Sequence, residues 1–114
     1  MTNVLAILIL STGFAASVET PDGFVERKFP NTRQGVEEFL SFSEPLVKER
    51  KFKICTVTLS EDPGEVMSWL LDAGTGSAFL SVPVYRNYVA STNSNQNSAT
   101  SVAKACLANY MVGR

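Results

Sequence analysis

Asn3-Val4-Leu5-Ala6-Ile7-Leu8-Ile9-Leu10 is the stretch that decides the architecture of this chain. Every residue after Asn3 is apolar, whereas a strand with one wet face alternates apolar and polar side chains. A run of strand length without alternation predicts a central strand covered on both faces. The apolar character continues to Ala16, and Gly13-Phe14-Ala15-Ala16-Ser17 loosely resembles the cleavage region of a secretory signal. No Lys or Arg precedes the run, as such a signal requires. A membrane-spanning helix needs about 20 apolar residues, and Ser11, Thr12 and Gly13 interrupt this run too early. The expectation is therefore a core strand of a cytoplasmic protein without a membrane span, with export as the alternative.

Working outward, Phe14–Thr20 and Phe24–Phe29 flank Pro21-Asp22-Gly23, whose fixed proline φ and permissive glycine suit a tight reversal. Three antiparallel strands follow from this. Pro30 stops the third, and Asn31 or Thr32 can cap a helix carrying Val36, Phe39, Leu40 and Ser43 on one face, with Pro45 ending or kinking it. Lys48-Glu49-Arg50-Lys51 reads as a solvated connector. Phe52–Leu59 is rich in β-branched residues and predicts a fourth strand. Ser60-Glu61-Asp62-Pro63 then supplies a capping oxygen, early acids and a first-turn proline. The helix it starts presents Val66, Met67, Trp69, Leu70 and Leu71, and Ala73-Gly74 stops it. Ala78–Val84 predicts the fifth strand. The uncharged polar segment 91–98 reads as a loop before a last helix, Ala99–Met111, with Val102, Ala105, Cys106 and Tyr110 on its apolar side.

This order, three antiparallel strands followed by βα crossovers that add parallel neighbours, predicts one α/β domain over residues 1–114 with an RNase H-like mixed five-stranded sheet and flanking helices. The composition narrows the chemistry. Among 114 residues there is no His, which removes Ser-His-Asp, Cys-His and His-based metal chemistry. Ten Lys plus Arg against eleven Asp plus Glu give a net charge of −1, so no global positive field draws in phosphate backbones. Two cysteines, Cys55 and Cys106, are too few for a zinc site and are expected as buried thiols.

The remaining clusters read first as structure. Glu61 and Asp62 sit where a helix start favours negative charge, with Glu65 and Asp72 beside them. Gly74-Thr75-Gly76-Ser77 follows a helix instead of preceding one, and no Lys comes after it, unlike a phosphate-cradling loop. Tyr85, Arg86 and Tyr88 place an arginine between two aromatics, a combination that anchors protein interfaces.

Several landmarks resemble the N-terminal, RuvC-like catalytic domain of the bacterial DEDD transposases, the group that includes the Piv site-specific invertase. Ala6-Ile7-Leu8-Ile9-Leu10-Ser11 leading to Pro21-Asp22-Gly23 resembles the family's first two strands and their D-G turn. Phe29-Pro30-Asn31-Thr32-Arg33-Gln34-Gly35-Val36 is similar to its F-x-N-x-x-x-G-x helix start. Cys55 through Gly74 resembles its strand, helix and terminal A-G, Ser81-Val82-Pro83 its V-N-P, and Leu107-Ala108-Asn109-Tyr110 its L-A-x-Y. The resemblance implies four acidic residues holding divalent metal ions for strand cleavage. Gapless spacing places them on Leu8, Thr58, Thr100 and Ala103, none of which is acidic, and a one-residue slip at the second yields Val57 or Leu59. The family's basic segment falls on Val89 through Ser98, which carries no positive charge. Its C-terminal serine domain is expected to have no counterpart.

The resemblance with these losses implies a degenerate fold without nuclease or transposase chemistry, a non-enzyme needing no metal or cofactor. The expected role is protein–protein association as a scaffold or regulatory subunit. It would use the sheet edge and the Tyr85, Arg86, Tyr88 segment, with a homodimer allowed on the same grounds. The alternatives are an inactive nucleic-acid-associated partner of a recombinase, disfavoured by charge, and an exported or envelope domain.

Overall fold

The computed structural model describes residues 3–47, 52–59, 65–72 and 78–110. Four strands of seven residues, β1 (Asn3–Ile9), β2 (Phe14–Thr20), β3 (Gly23–Phe29) and β4 (Phe52–Thr58), are joined by a two-residue fifth, β5 (Ala78–Phe79). The helices are α1 (Arg33–Val47), α2 (Val66–Asp72), α3 (Val82–Thr92) and α4 (Ala99–Tyr110). The sheet order is β3-β2-β1-β4-β5. Strand β2 runs antiparallel to both neighbours, while β1, β4 and β5 are parallel.

The apolar run does occupy the centre. Val4, Ala6 and Leu8 join one core cluster, and Leu5, Ile7 and Ile9 join another. Strand pleating sends alternate side chains to opposite faces, so β1 feeds both layers. Helices α1 and α2 pack together on the second cluster, which holds Phe14, Phe29, Phe39 and Leu70. Helices α3 and α4 cover the first, which is built from Val57, Tyr85, Val102 and the small residues Ala15, Cys55, Ala99, Ala103, Ala105 and Cys106. Both cysteines are buried.

The start of α1 is explained residue by residue. Thr32 Oγ1 accepts from the Gly35 amide at 3.0 Å and caps the helix. Asn31 Nδ2 donates to the Leu10 carbonyl at 2.7 Å, tying the helix start to the end of β1. A Cβ on Gly35 would overlap the Pro30 carbonyl oxygen, so only glycine fits there. Asn31 and Gly35 thus have local structural roles, while Asn31 Oδ1 is buried with no hydrogen-bond partner among the described residues.

Three expectations are corrected. Pro45 does not end α1, which continues to Val47; Phe42 and Leu46 pack against the aromatic cluster and hold the last turn despite the lost amide donor. The fifth strand stops at Phe79, and α3, unforeseen, takes residues assigned to it. Ser81 Oγ caps α3 by accepting from Val84 N at 3.4 Å, and Pro83 sits in the first turn. Pro83, which has no amide to give a ladder and suits a first helical turn, was the signal against a strand running to Val84. Helix α3 also extends to Thr92, shortening the polar loop, and Asn93 closes it in the left-handed region at φ 55°. The expected features at Lys48–Lys51, Ser60–Pro63, Ala73–Ser77 and Met111 lie outside the described residues.

Candidate functional site

A cleft of about 620 Å³ opens where β1 and β3 end and the chain turns into β2. Its lining combines the apolar residues Leu10, Phe14, Ala15, Phe29 and Pro30 with Ser11, Thr12, Lys28 and Asn97. The turn is held by a Leu10 N–H to Gly13 carbonyl bond of 2.8 Å. Gly13 is required: a Cβ there would stand 2.7 Å from the Phe29 carbonyl oxygen, closer than atoms approach. No sequence signal singled out these residues. Lys28 could have been found from β3 itself, where Phe24, Glu26 and Lys28 share the face of Ser17 and Ala15 through the register Ala15↔Lys28 and Ser17↔Glu26.

Beside the cleft, Glu26 binds the start of α4. Its Oε1 accepts from Ser98 Oγ at 2.6 Å, Thr100 N at 2.9 Å and Thr100 Oγ1 at 2.8 Å. A helix N-terminus exposes unpaired amides and favours negative charge, so a β3 carboxylate supplies the cap that α4 lacks locally. The Thr100 proton goes to Glu26, which leaves Ser17 Oγ as the donor in its 3.0 Å contact with Thr100 Oγ1. Partial burial pulls the Glu26 pKa upward, but the bonds from Ser98 and Thr100, with the charge of Lys28, outweigh it and hold the carboxyl below its ordinary 4.5.

Tyr85 is 0% exposed, and its hydroxyl donates to the Gln96 carbonyl at 2.6 Å. Burial, then the negative Glu26 nearby, pushes its pKa from 10.0 up to about 12. This overturns Tyr85 as a surface anchor: it locks the loop before α4 onto α3 as a core residue. Tyr88 is half-buried against the same cluster, and Arg86 is exposed. Among the described residues the exposed large apolar side chains are instead Val84 at 41% and Val25 at 42%.

The four positions mapped from the transposase spacing do not form one site. Leu8 and Ala103 are 0% exposed in a single apolar cluster, and Thr100 stands one turn before Ala103 on α4, engaged as described. Thr58 pairs with Ile9, which places it on the opposite face, whereas Val57 pairs with Leu8 and shares its cluster. Thr58 Oγ1 is buried and has no hydrogen-bond partner among the described residues. Among the described residues there is no group of three His, Cys, Asp or Glu side chains arranged to hold a metal ion, and no helix long and apolar enough to cross a membrane. No known protein family's profile matches the chain, and no curated protein is significantly similar to it.

Proposed function

We propose that this chain is a non-catalytic, RNase H-like domain of DEDD-transposase type that works by protein–protein association through its open β3 edge. Support for the fold comes from the order β3-β2-β1-β4-β5 with β2 antiparallel to its neighbours, the arrangement an RNase H-like sheet requires. The observation that carries the functional reading is the packing of Leu8 against Val57 and Ala103 in one dry cluster. Where the resemblance asks for metal-holding carboxylates, the chain buries side chains that have no oxygen ligand to offer.

The associating surface follows from the topology. β3 is a seven-residue strand whose described sheet partner is β2, so its other edge is a template for strand addition. Val25 is 42% exposed on that edge. Arg27 keeps the edge charged, which disfavours indiscriminate pairing and favours a partner strand carrying an acidic residue. Arg27 lies 5.8 Å from the Phe42 ring, and with Gln34, Glu37 and Glu38 it lines a shallow groove beside the edge that can receive a partner side chain.

The test is capture of protein from the native cell extract at two salt concentrations, comparing the wild-type chain with Val25→Glu. A salt-resistant protein partner lost at least tenfold by Val25→Glu, with the variant's thermal midpoint unchanged, is the expected result. Salt-labile nucleic acid in place of a protein would replace this reading with the recombinase-partner one, since phosphate affinity falls steeply with salt. A partner retained in full by Val25→Glu would remove β3 as the surface.

A further inference from the structure

We infer that the cleft at the β1–β2 turn is a binding site for a small organic acid, a carboxylate on an apolar body, independent of the β3 edge. Three observations converge on that chemistry. The cleft volume of about 620 Å³ lies within the range of small-ligand sites, roughly 300–1,000 Å³. Its position, at the turn from β1 into β2 beside the carboxyl end of β3, leaves it open to solvent. Its lining combines apolar residues with a cation, two hydroxyls and an amide.

The charge lining the cleft is of one sign. Among the described residues, Lys28 is the single ionisable side chain lining the cleft, and no carboxylate lines it. Glu26, two residues before Lys28 on the same face of β3, is committed to three donors from Ser98 and Thr100. The Lys28 ammonium is therefore available for an anion, and Ser11 and Thr12 add hydroxyl donors beside it. Leu10 and Pro30, neither of them fully buried, would take the apolar body, whose burial supplies the affinity that one exposed ammonium cannot. Gly13 keeps the turn close to Phe29, and a side chain there would push the turn away.

Benzoate is the probe, titrated into the full chain and followed by amide chemical shifts, with inorganic phosphate in a parallel arm. The expected result is saturable shifts at Ser11, Thr12, Gly13, Lys28 and Asn97 with benzoate, weakened at least fivefold in Lys28→Gln and unchanged in Val25→Glu. Lys28 is exposed, so Lys28→Gln keeps the fold. A second variant, Thr12→Val, checks the polar lining without touching charge and is expected to weaken benzoate about threefold, on the scale of one lost hydrogen bond. Shifts that do not saturate, benzoate affinity unaltered by Lys28→Gln, or phosphate binding as tightly as benzoate would each overturn the assignment. Because Val25 lies outside the cleft, failure here leaves the β3-edge reading untouched, and the reverse holds too.

Discussion

The two faces of one sheet are covered by opposite means. On the α1 and α2 side, large side chains fill the space: Phe14, Phe29 and Phe39 meet with ring centroids 5.3 to 5.9 Å apart, and Phe42 joins at 5.8 Å from Phe29. On the α3 and α4 side, alanines and cysteines let α4 lie close to β1, β2 and β4. That close approach leaves little apolar area per residue, and polar contacts complete it: Ser17 to Thr100, Glu26 to the start of α4, and Tyr85 to Gln96. A face of small residues gains its specificity from placed hydrogen bonds, whereas a face of aromatics gains it from volume.

The largest effect is expected on the aromatic face. Phe39→Ala removes a fully buried ring touching two others and should cost about 3–5 kcal/mol in denaturant unfolding. On the small-residue face the corresponding insult is overpacking. Ala103→Leu should cost about 1–3 kcal/mol, because Ala103 is 0% exposed between α4 and the sheet. A loss larger than that of Phe39→Ala would break the contrast and make α4 docking the tighter constraint.

The smallest effect sharpens the polar side of the comparison. Glu26→Gln should cost about 1 kcal/mol at neutral pH, the scale of a lost helix cap. Its pH dependence has a definite sign. The folded pKa of Glu26 lies below its ordinary value, so the unfolded chain binds a proton first as pH falls. The stabilisation is complete above the ordinary carboxylate range and is lost as pH drops through the folded pKa. Unfolding measured between pH 7 and pH 3 should show wild type and Glu26→Gln converging at the acid end. A constant gap would remove the charge-based cap.

Much of the sheet was legible because local signals carried it. The unbroken apolar run, the Pro-Asp-Gly reversal and the β-branched fourth strand each follow from rules that act within a few residues, and β1 to β4 stand where those rules set them. The segment after residue 80 was misread because Ser81-Val82-Pro83 satisfies both a strand end and a helix start. Contact of Tyr85 and Val89 with the core settles it as helix. The cleft was illegible for a different reason. Ser11, Lys28 and Asn97 come from three separate segments, and no spacing links them along the chain.

The sequence alone determined a strand buried on both faces, and therefore a layer of helices on each side, because seven consecutive apolar residues cannot be left facing water. Tertiary structure alone decided which side chains meet. It put a β3 carboxylate at the start of a helix 74 residues later, took Tyr85 out of the surface, and set Leu8 beside Ala103. Those pairings depend on sheet register and helix docking. Both are set by packing across the whole domain, and neither leaves a trace in local composition.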